Sequence, residues 1–361
     1  MAAHEKGAWA ASNTAVEKAL RFVAGQPDIS VGKTLGSAIF NERYHDYQGD
    51  PHELVMLHTL AMLNFSFLGQ TDEALVEARA ANSLMEGLKA SGKVQVEDPL
   101  NRYFSAKLYE RVGLWDDAYI DLKRARQAFH ELEPISKVHE PSFLGGDLKR
   151  LAGKAGRKDD LKLLNEEYPR QTPALGPGQG EVWVLVFDGK TFEEPAGPPA
   201  SPEDPENLAL ADPGLDQAMT AKLGTAETPL ELVYQPALMA QEALKSKSLG
   251  ESARSATRFG IRLSLLVGLA VLTQGNLPDS AGRLLASDDS QAQRWDNMPA
   301  RVYACRVVGR AGPQELWLSG DGWRDKVALK VPEGKAGLVS VTITDDLLSV
   351  SLSPLLRASA Q

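Results

Sequence analysis

From about residue 14 to 168, apolar residues recur at intervals of three and four and strand-like alternation is missing, which predicts helices. From Arg301 onward the pattern changes. RVYACRVV, QELWLS, KVALK and LVSVTITDDLLSVSL alternate between Gly, Pro or Asp turns, which predicts strands. Between these regions, EVWVLVFDGKTFEE (181–193 in the main) reads as two strands around an Asp188-Gly189 turn. PAGPPASPEDPENLALADPG is a proline-rich excursion, and helical character returns from Pro236 to about Thr273. The expectation is an α+β protein in three parts. A helical domain covers 1–170, and a linker carrying the hairpin covers 171–235. The third part, 236–361, holds an intervening long helix (236–273) and a small, mostly antiparallel, sandwich-like β-domain (300–352).

The helical part repeats. HTLAMLNFSFLGQTDEALVEARAA and RYFSAKLYERVGLWDDAYIDLKRA align on Gly69 and Gly113, 44 residues apart. The alignment matches Phe65 with Tyr109, Asp72 with Asp116, Ala74 with Ala118 and Ala81 with Ala125. The aromatic fills the space between paired helices, the glycine permits a tight turn, and the alanines let helices approach closely. These are the positions of the tetratricopeptide (TPR) pattern, a stacking helical hairpin. Its standard period is about 34 residues; EGLKASGKVQVED accounts for the excess as an insertion. A third, decayed copy runs through LAGKAGRKDDLKLLNEEYP, with Gly156 in the glycine position and Leu161 replacing the alanine. A helix at Ala15–Ala24 is expected to cap the stack.

In a TPR stack the first helix of each hairpin lines a concave groove. That register puts Thr59, Leu63, Ser66 and Phe67 near the groove in one repeat and Tyr103, Lys107, Glu110 and Arg111 in the next. The Lys and Asn clamp for a free peptide C-terminus is not reproduced. These eight residues are the candidate partner site. The alternative is that the groove is filled by later segments of the same chain, such as the helix at 236–273, which has apolar area to bury.

Composition narrows the function classes. The chain has 361 residues, is 43% hydrophobic and carries a formal net charge of −9, which argues against a general nucleic-acid binder. Cys305 is the single cysteine, so neither an intramolecular disulfide nor a cysteine zinc site is expected. It sits in an alternating strand pattern that favours a buried packing role. MAAHEKGAWAASN lacks the apolar core of a signal peptide. The longest apolar run, LSLLVGLAVLT, is too short to span a bilayer.

Candidate catalytic motifs fail one by one. VGKT (Val31 to Thr34) resembles a phosphate-binding loop, but Pro27 stands where the motif needs its first glycine, and a helix-like segment precedes it. VWVLVFD, ending at Asp188, resembles the strand and aspartate that hold magnesium, although Asp188-Gly189 is also a common turn pair. His52-Glu53-Leu54-Val55-Met56 begins like a zinc-protease helix and has Met56 where the second histidine belongs. His58 is six residues from His52 and off its helical face. No G-x-S-x-G elbow marks a hydrolase serine. The acid pairs Glu110/Asp117, Asp116/Asp117 and Asp288/Asp289 read as solvated faces and caps. No catalytic residue, metal or cofactor is expected.

Several segments together resemble a family of uncharacterised TPR-containing lipoproteins of Gram-negative bacteria. The resemblance is carried by YHDYQGDPHELVMLHTLAMLNFSFLGQTDEALVEARAAN, EDPLNRYFSAKLYERVGLWDDAYIDLKRA, GEVWVLVFDGK and RWDNMPARVYACRV, and covers most of residues 30–310. It implies a cell-envelope location, at the outer membrane or in the periplasm, and an assembly role. Other proteins are the implied partners, envelope lipoproteins among them. The family's leader and lipobox cysteine are not matched here, so membrane association would need a lipid anchor this sequence does not show. Without a removed leader the location would be cytoplasmic. Asp296 and Met298 depart from the family segment, whereas Trp295 and Pro299 keep it. Arg294, Trp295 and Pro299 are read as a domain junction, with the tryptophan as an anchor. The expected function is a non-enzymatic adaptor or scaffold. A permanently packed structural subunit and a nucleotide-dependent enzyme using Lys33 and Thr34 are the alternatives.

Overall fold

Asp50, Pro51 and Glu53 start the first helix of the first hairpin in a reciprocal cap, with the Asp50 N–H donating to Glu53 at 3.1 Å. The computed structural model describes residues 1–24, 50–90, 97–170, 175–191, 218–242, 298–344 and 347–357. Its helices are α1 (Ala2–Glu5), α2 (Trp9–Ala24), α3 (Pro51–Leu68), α4 (Thr71–Ala90), α5 (Pro99–Arg111), α6 (Trp115–Ser136), α7 (Leu144–Lys154) and α8 (Lys158–Glu167). Helices α3/α4, α5/α6 and α7/α8 pack as consecutive pairs. Each pair turns at a left-handed glycine: Gly69, Gly113 and Gly156, with φ of 79°, 79° and 69°. One closing bond recurs in all three turns. The N–H after the glycine donates to the carbonyl of Phe65, Tyr109 or Ala152, at 2.9, 3.0 and 2.8 Å. The third hairpin is therefore present as expected, and the capping helix is longer than Ala15–Ala24.

The second helices of the pairs lie side by side. The Asn82 amide on α4 donates to Asp121 on α6 at 2.8 Å, and the Tyr119 hydroxyl on α6 donates to Asp160 on α8 at 2.8 Å. Ala74, Ala78, Ala81, Ala118 and Ala125 are fully buried, the small residues that close helix approach requires.

Nine described strands form two sheets. They are β1 (Gln179–Asp188), β2 (Thr220–Leu223), β3 (Ala226–Pro229), β4 (Glu231–Tyr234), β5 (Arg301–Arg310), β6 (Gly312–Gly320), β7 (Trp323–Val331), β8 (Ala336–Thr344) and β9 (Leu347–Leu352). One sheet has the order β4-β5-β1-β8-β9 and the other β3-β2-β6-β7. Pairing is antiparallel except between β1 and β8, which run parallel. The fold is mixed α+β in three layers: helices, five-stranded sheet, four-stranded sheet.

Strand β1 lies at the centre and explains its own sequence. Trp183, Leu185 and Phe187 point into a core shared with the helices, while Val182, Val184 and Val186 point into the core between the sheets. A strand covered on both faces needs a continuous apolar run rather than alternation.

Several expectations change. Asp188-Gly189 is not a hairpin turn: β1 pairs with β5 and β8, no strand follows through residue 191, and 192–193 lie outside the described residues. The 171–235 region is more than a linker, since it supplies β1 to β4. The β-layer is thus assembled from distant segments and is not confined to 300–352. Of the expected long helix, residues 236–242 are helical and the remainder lies outside the described residues. EGLKA, taken as part of an insertion, completes α4. The VGKT segment with Lys33 and Thr34, together with Asp288, Asp289, Arg294 and Trp295, also lies outside them.

Candidate functional site

The expected groove residues converge, but not on open space. Thr59, Leu63, Ser66, Phe67 and Tyr103 are all buried. The Thr59 hydroxyl accepts from the Asn101 amide at 2.7 Å, and the Ser66 hydroxyl donates to the Met62 carbonyl at 2.8 Å. Phe67 stacks on Trp9, ring centroids 5.4 Å apart. Leu63 lies in the main core. Tyr103 meets Trp183 of β1 at 5.2 Å, and Phe104 meets the same indole at 5.3 Å. An open partner groove at these positions is corrected to a packed junction. Its occupant is the chain's own five-stranded sheet, with Met239 and Ala240 of the helical segment 236–242 joining the same core. A tryptophan between two aromatics removes a large apolar area from water.

Lys107 and Glu110 belong to a charged network inside this junction. The Arg306 guanidinium on β5 donates to both oxygens of Glu181 on β1, at 2.9 and 2.6 Å, and to Asp147 on α7 at 2.6 Å. Lys107 on α5 lies 3.0 Å from Glu110 and 3.6 Å from Glu181. Arg150 on α7 pairs with Glu110, and with Asp147 at 2.7 Å. The Tyr103 hydroxyl completes the set by donating to Asp147 at 2.6 Å. Three cations face three carboxylates across the sheet–helix boundary, so the cluster is neutral as a unit.

The electrostatics follow from burial and pairing. Burial works to raise the Glu181 carboxyl, but Lys107, Arg306 and Arg150 together hold it down to about 2. Burial works to lower the Arg306 guanidinium, and Asp147 and Glu181 reverse this and raise it. Burial lowers the Lys107 ammonium against the pull of Glu181 and Asp147. Tyr103 is raised by burial and by the Asp147 charge. A charged network of this kind, spanning two layers, fixes the register between them. Arg111, alone of the eight, is exposed.

The other candidate chemistry is likewise committed. The Asp188 carboxylate accepts from Arg301 of the neighbouring strand at 3.0 Å, a cross-strand ion pair where the magnesium reading needs an open ligand. His58 pairs with Glu77 at 2.7 Å, and Glu53 caps α3. Cys305 is buried between the sheets, where burial pushes its thiol well up and away from a reactive thiolate. Pro299 is buried, and its carbonyl accepts from the Thr191 hydroxyl at 2.7 Å, which docks the start of β5 on the end of β1. Among the described residues no group of three His, Cys, Asp or Glu could hold a metal ion, and no helix is long and apolar enough to cross a membrane. An open depression of about 720 Å³ lies on the outer face of the four-stranded sheet. Its floor, Trp317, is already covered by Arg324 at 4.5 Å and Lys326 at 5.1 Å.

Arg306, Glu181, Asp147 and Arg150 escaped the sequence reading. A signal was present for two of them. Arg306 and Glu181 interrupt apolar strands at phases that put them on the Trp183 face, where an unpaired charge is costly.

No protein-family model, no curated protein and no solved structure matches this chain.

Proposed function

We propose that this protein is a non-enzymatic adaptor or scaffold built on a TPR-like hairpin stack, and that it works in a bacterial envelope assembly. The observation that carries the interaction reading is the thrice-repeated hairpin turn at Gly69, Gly113 and Gly156. Stacked hairpins build an extended surface without assembling a catalytic constellation. The envelope location rests on the resemblance of residues 30–310 to Gram-negative TPR lipoproteins.

Because the inner face is consumed by β1 and β5, partners would meet the stack on its outer helices and turns. Arg111 remains a candidate contact; Lys107 does not, since its ammonium is enclosed by Glu110 and Glu181. Crosslinking in the native host followed by capture tests the reading. Crosslinks should concentrate on α4, α6 and α8. The adaptor reading fails if no partner is captured, or if ATP with magnesium stabilises the protein against heat and Lys33→Ala abolishes that effect.

A further inference from the structure

The outer helices carry an apolar row that the fold does not use. Val76, Ile120 and Leu163 are 59%, 43% and 63% exposed. Each is the seventh residue after the left-handed glycine of its hairpin, so the three occupy one equivalent position on α4, α6 and α8. Scattered exposed aliphatics need no explanation; the same exposed position filled by Val, Ile and Leu in every hairpin does.

The charge beside the row is also repeated. The third and fourth residues after each glycine are Asp72-Glu73, Asp116-Asp117 and Asp159-Asp160, one turn before the apolar residue and on the same face. A helix N-terminus offers about half a positive charge against each pair, so every helix keeps a net negative end. Arg157 takes up Asp116, and the Tyr119 hydroxyl with Lys123 takes up Asp160. Asp72, Glu73, Asp117 and Asp159 are exposed along the row.

We propose that the row Val76–Ile120–Leu163 is a docking face for a basic amphipathic helix of a partner protein. This rests on the interaction reading above and names the partner's chemistry. Apolar side chains of the incoming helix cover the row, and its Lys or Arg residues meet the acidic helix starts.

The test uses the full chain and a fluorescein-labelled Leu/Lys peptide of helical amphipathic pattern, read by fluorescence anisotropy. Two control peptides are a Leu/Glu analogue and a Leu/Lys peptide of scrambled pattern. The native chain should bind the amphipathic Leu/Lys peptide at least roughly tenfold more tightly than either control, and binding should weaken as salt rises. Val76→Ser, Ile120→Ser and Leu163→Ser together should weaken it at least roughly tenfold with an unchanged melting temperature, because all three side chains are exposed. Asp117→Asn should reduce the salt dependence. Equal binding by the triple-serine variant, or by the Leu/Glu peptide, overturns the proposal. So does a concentration-dependent dimer that the triple variant dissolves, which assigns the face to a second copy. Should the peptide fail while a native partner still crosslinks to the hairpins, this inference falls and the adaptor reading stands.

Discussion

Arg306 on β5 and Asp147 on α7, 159 residues apart in sequence, meet at 2.6 Å inside the junction between sheet and helices. The contact ties the β-layer to the third hairpin. Arg306 also holds Glu181, so one guanidinium compensates two enclosed carboxylates.

Removing that guanidinium should be costly. Arg306→Ala leaves Glu181 and Asp147 with less compensating charge, and a loss of about 3–5 kcal/mol is expected, measured by urea unfolding. Arg306→Lys should recover only part of it, because an ammonium cannot make the two parallel bonds to Glu181. A loss below about 1 kcal/mol for Arg306→Ala would mean the network contributes little to the junction.

The indole of Trp183 is the apolar counterpart of this contact. Trp183→Ala should lower stability by about 3–5 kcal/mol, since it opens a cavity between Tyr103 and Phe104. Trp183→Phe should be milder, under about 2 kcal/mol, as no hydrogen bond of the indole is lost. Chemical denaturation of the two variants side by side checks the ranking.

Two buried groups should give stability opposite responses to pH. Burial lowers His4 from 6.5 to about 4, against the hydrogen bond with Asn64, so the folded protein holds the neutral ring. Below pH 6.5 the unfolded chain binds a proton that the folded one refuses, and stability falls until about pH 4. Burial raises Asp98 from 3.8 to about 6, with the Asn101 N–H pulling the other way. That carboxyl favours folding when protonated, so its contribution is lost as pH rises from 3.8 to about 6. Each slope approaches about 1.4 kcal/mol per pH unit inside its window. The two contributions nearly offset in the native chain, so on acidification through this window stability should fall in Asp98→Asn and rise in His4→Gln relative to it.

Two glycines of the helical layer should respond oppositely to alanine. Gly113 has φ of 79°, and Gly113→Ala is expected to cost about 1–2 kcal/mol. Gly87 lies inside α4 with nothing within 4 Å of an added Cβ, and Gly87→Ala should stabilise by about 0.5–1 kcal/mol. Thermal melts of the pair measure the contrast.

Local and tertiary information divide clearly in this chain. The helix pairs were legible because each turn writes itself in sequence: a glycine for the left-handed backbone, an aromatic four residues earlier at Phe65 and Tyr109, and an acidic pair at the next helix start. Strands β5 to β8 were legible because period-two alternation and turn residues are local. Asp188-Gly189 misled for the same reason: the dipeptide permits a turn, while the pairing of β1 with β5 and β8 decides whether a hairpin forms. What the groove contains was decided only in three dimensions. Nothing near Tyr103 or Lys107 names Trp183 or Glu181 as a neighbour, because burial of an apolar face and neutralisation of an enclosed charge depend on which distant segment arrives. Backbone periodicity is a property of adjacent residues, so the sequence alone determined the hairpins. Occupancy of their inner face depends on contacts between distant segments, and only the tertiary structure decided between an open groove and one filled by the chain's own later segments.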